Sequence, residues 1–267
     1  MKQFILEKKP DKDDIVRLDG GDYRYLVRVR RLKEGGSFSA LLPNGEETLV
    51  NVLSVANGVL TGKCAVHENI TAASGLNGPS PLPPVILFQA LPKGDKMDLI
   101  VRQAAEGGIT EIVPFVSEFS VAQAKAAGQK FSRWERIIKE ARQQSGSKTA
   151  TSIRRPLTES GLFEYWQKLK SALDDPENGG LGLLFHHQGL EKESLHSYLN
   201  NVPQIAAFAI GPEGGFSGKE VSLFMENGFK PFTIGDTVLR TETAALYCAA
   251  VIKILLLERD SWKLKQV

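Results

Sequence analysis

Two late stretches hold the side chains best suited to chemistry. The first, GPEGGFSGKE from Gly211 to Glu220, follows the apolar run Ile205 to Ile210 and precedes a helix start. Its four glycines let backbone approach a ligand closely, and the helix N-terminus supplies free N–H donors. A nucleotide-binding P-loop needs Gly, four residues, then Gly-Lys-Ser/Thr. Here Glu213 stands five before Gly218 and Glu220 follows Lys219, so that motif fails. The spacing of Gly211, Gly214 and Gly215 does not fit a dinucleotide fingerprint either. A glycine-rich turn with no ligand is the plain alternative.

The second stretch, GDTVLRTETA from Gly235 to Ala244, enters a long apolar helix. Glu242 suits the positive end of a helix dipole, whereas Arg240 does not and calls for an anionic or carbonyl partner. A surface ion pair between the two is the competing reading and would contribute little stability. His186 and His187 follow the run LGLLF, but no cysteine or carboxylate completes a metal spacing. Consecutive residues on extended chain also point oppositely, so no metal site is expected. Cys248 lies among apolar neighbours and Cys64 on a strand, and neither reads as a nucleophile. Trp134 and Trp166 fall on helical apolar stripes and read as core.

The elements that must position these loops divide into two groups. Upstream, Ser37 to Leu42, Glu46 to Val55 and Val59 to Glu68 are short runs separated by Asn44-Gly45 and Asn57-Gly58, a pattern that predicts an antiparallel meander. Tyr23 to Leu32 alternates like a strand, yet Tyr25, Leu26, Val29 and Leu32 also form a helical stripe, and helix is preferred. The Gly/Ser/Pro-rich TAASGLNGPSPLPP predicts a seam, giving a small domain over 1–72, a linker over 73–84 and a larger domain over 85–267. Downstream, strands alternate with helices, which predicts an α/β domain with a largely parallel sheet. Its strands are Val85 to Leu91, Ile109 to Val116, Leu181 to Phe185, Ile205 to Ile210 and Phe229 to Ile234. A helix from Asp95 to Glu106 stops at Gly107-Gly108. Capping boxes are expected at Ser132 with Glu135 and at Ser217 with Glu220. The loops after the later strands are where ligands bind in open α/β sheets.

Composition bounds these readings. A net charge of +2 on 267 residues permits nucleic-acid binding without requiring it. Two cysteines cannot build a disulfide framework, which fits a reducing, cytoplasmic setting. The N-terminal apolar stretch is too short for a signal h-region, and Ala244 to Leu257 is interrupted by Lys253 and too short to span a bilayer.

Five ordered stretches carry a resemblance: LVRVRRLKEGG, ALPKGDKMDLIVRQAAEGGITEIVPFVSEFSV, RWERIIKEARQQSG, GPEGGFS and IGDTVLRTETAAL. With them the chain resembles the RsmE-type methyltransferases, which methylate N3 of a uridine in small-subunit ribosomal RNA. It departs from the family pattern at Tyr25, where His is common, and at Gly36, where Asp is common. The resemblance implies a small PUA-like antiparallel β-barrel joined to a SPOUT domain, an α/β fold whose C-terminal segment forms a trefoil knot. It implies S-adenosylmethionine as cofactor, held by loops beginning at Phe185, Gly211 and Ile234. The residues it marks are Phe185, His186, Gly211, Pro212, Glu213, Gly214, Gly215, Ile234, Gly235, Leu239, Thr241, Thr243 and Ala244. Ile234 and Leu239 would flank the adenine, with Thr241 and Thr243 as hydroxyl donors.

In this reading Arg240 orients the uracil or its phosphate and stabilises charge on the deprotonated ring, and Glu242 positions that region or accepts a proton. Phosphate contacts would come from Arg28, Arg30 and Arg31 in the small domain and from Lys93, Lys96 and Arg142 in the larger one. Partners would be small-subunit ribosomal RNA, in the assembled subunit, and a second copy of the chain, with no membrane and no metal. A non-catalytic RNA-binding assembly factor, a SPOUT enzyme acting at another RNA position, and a nucleotide hydrolase are the rivals.

Overall fold

The computed structural model describes residues 4–66, 82–121, 124–187, 190 and 193–263. The chain divides into two compact units, Met1–Pro79 with Arg142–Ala150, and Ser80–Ala141 with Thr151–Val267. Most of the expected linker, 73–81, lies outside the described residues.

The first unit contains β1 (Phe4–Ile5), β2 (Ile15–Leu18), α1 (Gly20–Tyr23), β3 (Ser37–Leu41), β4 (Glu47–Ala56) and β5 (Val59–Val66). Its sheet runs β1-β3-β4-β5-β2. The meander β3-β4-β5 is antiparallel, and its second turn has positive φ at both Asn57 (52°) and Gly58 (76°), the conformation a tight hairpin needs. β4 alternates as a strand with one buried face does: Thr48, Val50 and Val52 are buried, and Glu47, Asn51 and Leu53 are exposed. At the edge of this antiparallel sheet the two-residue β1 is added to β3 in parallel. Of Tyr23 to Leu32, the part through Val29 is helical, as the stripe suggested, but Arg24–Val29 is a π-helical turn with Arg30 N–H bonded to Tyr25 O at 2.9 Å, and the helix does not continue to Leu32 because Arg31 turns to φ 57°. Its Leu26 is fully buried with Phe4, Phe38, Val50 and Leu60. Lys148, on the later segment of this unit, pairs with Glu47 at 2.9 Å.

The second unit is built on β6 (Val85–Ala90), β7 (Glu111–Phe115), β8 (Ser152–Ile153), β9 (Gly180–Phe185), β10 (Ile205–Ile210) and β11 (Phe229–Phe232). The helices are α2 (Lys96–Glu106), α3 (Ala124–Gln129), α4 (Phe131–Ser145, which belongs to this unit through Ala141), α5 (Glu159–Ser171), α6 (Leu195–Tyr198), α7 (Gly218–Glu226) and α8 (Thr241–Lys263). Every strand pair is parallel, in the order β11-β9-β10-β6-β7-β8. β6 and β10 are buried along their whole length, which their apolar sequences, broken only by Gln89 in β6, anticipate. One core lies where α2, α4 and α8 cover the sheet, around Trp134 and Ile252. The other lies under α5 and α7, around Trp166 and Phe224. The Ser217 capping box is present with both of its hydrogen bonds. The one expected at Ser132 is not, because α4 already begins at Phe131 and places Ser132 inside the helix. The stripe behind it, Trp134, Ile137, Ile138 and Ala141, is buried as its spacing requires.

Candidate functional site

The carboxyl ends of β9 and β10, with the approach to α8, enclose a cavity of about 480 Å³. It lies beside the point where the sheet order reverses, with β7 on one side of β6 and β10 on the other. β10 leads into Gly211, and the chain then folds back on itself: a Cβ at Gly211 would lie 3.0–3.1 Å from backbone carbons of Gly215. Gly215 adopts φ +71° and donates its N–H to Pro212 O at 2.9 Å, closing the turn. Ser217 then caps α7. Its partner Glu220 is 2% exposed, accepting from Ser217 N–H through one carboxylate oxygen and from Glu118 N–H through the other, each at 2.9 Å.

α8 is tied to the same loop from inside. Thr241 is buried and donates its hydroxyl to Gly211 O at 2.7 Å. It accepts in turn from Gln89 Nε2 at 3.1 Å, and that amide also donates to Ala90 O at 2.9 Å. Three segments far apart in sequence therefore share one buried polar chain, which fixes the cavity wall.

Charge collects at Lys96. Its Nζ lies 2.8 Å from Glu213 Oε1 and 3.7 Å from Glu242 Oε2. Glu213 also accepts the Lys93 backbone N–H at 3.1 Å, so a single carboxylate joins the start of α2 to the glycine loop. The bond to Glu213 raises the Lys96 pKa against partial desolvation, with the Glu213 and Glu242 charges adding to the rise. For Glu213, burial pushes the pKa up but is outweighed by the Lys96 and backbone hydrogen bonds, leaving it below the ordinary value.

Of the residues marked for the cofactor, Phe185, His186, Gly211, Pro212, Glu213, Gly214, Gly215, Leu239, Thr241 and Ala244 line the cavity. Ile234, Gly235 and Thr243 lie on the same segments but outside its lining, and Thr243 is exposed. Arg240 lines the cavity, and Glu242 stands behind Lys96. Arg28, Arg30 and Arg31 are exposed, with Arg24 and Lys33 exposed near them in sequence. Lys93 is exposed, whereas Lys96 is a wall residue of the cavity. Arg142 must be corrected: it is 5% exposed, and a guanidinium so enclosed does not offer itself to a phosphate.

Sequence reasoning missed Gln89, Thr237 and Val238. An amide inside the otherwise apolar VILFQA was the available signal for the first. His186 and His187 both line the cavity, their ring centroids 4.6 Å apart. Among the described residues no group of three or more His, Cys, Asp or Glu could hold a metal ion. Cys64 and Cys248 are buried, and burial raises both thiol pKa values, so neither is poised as a thiolate. Among the described residues no helix is long and apolar enough to cross a membrane.

Residues 79–253 match the family model of the RNA methyltransferase domain. A ribosomal RNA small subunit methyltransferase E of Synechocystis sp. is 32% identical over 90% of this chain and 73% of its own. The protein of that name from Bacillus subtilis is 28% identical over 94% and 96%. Among solved structures, the small subunit methyltransferase E of Neisseria gonorrhoeae bound to S-adenosyl methionine superposes with a TM-score of 0.75 at 23% identity, covering 96% of this chain and 98% of that one. A probable rRNA-methyltransferase from Porphyromonas gingivalis does so with a TM-score of 0.75 at 24% identity over 96% and 99%.

Proposed function

The chain belongs to the ribosomal RNA small subunit methyltransferase E family, and on that footing we propose that it transfers a methyl group from S-adenosylmethionine to N3 of a uridine in small-subunit ribosomal RNA. Its fold is that of the SPOUT methyltransferases, a parallel α/β domain with a small curled sheet before it, and the knotted C-terminal segment is what the family resemblance adds. The observation that carries the proposal is the 480 Å³ cavity whose wall is made by the glycine loop and the start of α8.

The residues present fit this cofactor. The close approach of Gly211 to Gly215 leaves no room for a side chain and keeps backbone polar groups at the wall. Phe185 and Leu239 offer apolar surface for a purine, and the charges of both signs at Lys96 and Glu213 suit a zwitterionic tail. When bound, S-adenosylmethionine supplies a methyl carbon whose bond to a cationic sulfur is already polarised for displacement.

This chain's residues do the rest. Arg240 orients the uracil and offsets the negative charge that develops as the imino proton leaves. Glu242, at the first turn of α8 and 3.7 Å from Lys96, positions that region or accepts that proton. Thr241 and Gln89 hold the wall so that the alignment costs little reorganisation. The exposed arginines Arg28, Arg30 and Arg31 grip RNA phosphates. The working form is a cytoplasmic homodimer acting on the assembled subunit.

Mass mapping of small-subunit RNA from a strain lacking this gene, before and after incubation with the protein and S-adenosylmethionine, tests the reading. One uridine gains a methyl only when both are present. No gain, together with no donor binding by calorimetry, would leave a non-catalytic RNA-binding factor instead.

A further inference from the structure

Resting on the reading above, we infer that Phe119 is a stacking platform for an unpaired nucleobase of the RNA substrate at the edge of the donor cavity. The sequence has 13 phenylalanines, all at described positions, and Phe119 is the exposed one, at 46%. A lone exposed apolar residue ordinarily needs no explanation. This one is built into the site. Its turn is closed by Ser117 N–H to Ser120 Oγ at 3.2 Å and by Ser120 N–H to Ser117 O at 2.9 Å. The preceding residue, Glu118, donates its N–H to the buried Glu220, the same carboxylate that receives Ser217 N–H at the end of the glycine loop. One group thus fixes both the Phe119 turn and the loop that lines the cavity.

Phe119 rests directly on that loop. A Cβ at Gly214 would lie 3.1 Å from Phe119 Cβ and 3.4 and 3.5 Å from two of its ring carbons, and Gly214 is itself part of the cavity wall. Apolar surface continues nearby in Val121, 66% exposed, and on the cavity lining in Val238, 80% exposed. An uncharged ring is not a phosphate ligand. It is the group that unstacked RNA bases settle on, and a ring held by a hydrogen-bonded turn loses little freedom when they do.

The test measures methylation of unmodified small ribosomal subunits, with donor affinity by calorimetry and mass by sedimentation as controls. Phe119→Ala and Phe119→Leu each raise KM for the subunits about tenfold, while Phe119→Trp restores the wild-type value. Donor affinity and sedimentation stay unchanged throughout. A wild-type KM in the Ala or Leu variant overturns the inference. So does donor affinity that weakens in step with KM, which would mean Phe119 acts through Gly214, or an altered mass, which would make it a subunit contact. If the wild-type protein binds donor yet methylates no subunits, the family-based reading fails first and takes this one with it.

Discussion

Arg240 is the side chain whose removal separates chemistry from binding. It lines the cavity from the loop before α8, while the walls are held by other groups. Arg240→Ala therefore lowers turnover about 100-fold and leaves donor affinity nearly unchanged, as single-turnover kinetics set beside calorimetry would show; equal turnover removes Arg240 from the mechanism. The Lys96–Glu213 pair makes a pH prediction. Glu213 titrates below its ordinary 4.5, so its stabilisation is present above that value and is lost as pH falls through the lowered pKa. Lys96 titrates above its ordinary 10.5, so its share is present below 10.5 and is lost as pH rises through the raised one. The stability difference between wild type and Lys96→Met, from denaturation series, is thus flat through neutrality and shrinks at both extremes. A difference that varies across the neutral range would show that another group controls it. Arg240 was legible in sequence because a cation is out of place at a helix start, and the glycines because four of them crowd one strand-to-helix loop. Lys96 read as a generic phosphate contact because its carboxylate partners come from segments more than 100 residues away.

Helix α7 carries the glycine loop, and its start is fixed by the capping box. Ser217→Ala removes one bond of that box and lowers stability by about 1 kcal/mol, seen as a reduced denaturation midpoint at unchanged slope. Glu220→Ala costs more, since it frees the backbone N–H groups of both Ser217 and Glu118. An equal or smaller loss for Glu220→Ala would mean that the link to the Phe119 turn contributes nothing. At this scale the sequence was a good guide wherever local signals agreed. The run Ile205 to Ile210, the stop at Gly107-Gly108 and the Ser217 box all appear where they were read. Ser132 misled because helix α4 extends one residue upstream of it, and α3 just before it leaves little irregular chain for a cap. The pairs β1 and β8 are two residues each, too short for any periodicity, and exist because longer neighbours offer them an edge. The π-helical turn at Arg24–Val29 keeps Leu26 in the core while its arginines face outward, which neither an α-helical nor a strand period describes.

The order of the six parallel strands was only partly legible in the sequence: Lys230 and Pro231 mark β11 as an edge strand, but β9 and β10 are both apolar and either could neighbour β6. The seating of Thr241 between Gln89 and Gly211 resolves what periodicity left open, since it requires the start of α8 to lie over β10 and β6. That placement leaves α8 two-sided. Ala245, Cys248, Ala249 and Ile252 are buried in the core, whereas Leu246, Tyr247, Ile254 and Leu257 are 41–54% exposed. With 3.6 residues per turn, these four fall within a stripe about 100° wide, the width of a helix face that packs on another surface. An apolar stripe of this kind on the helix that begins at the cavity suits a second copy of the chain, which would bring a partner surface close to the site. Sedimentation equilibrium is expected to give twice the 29.3 kDa chain mass, and Ile254→Glu with Leu257→Glu to give the single mass with much reduced methylation. A wild-type monomer under active conditions would assign the stripe to another partner, and a charged double variant that still dimerises would move the interface elsewhere.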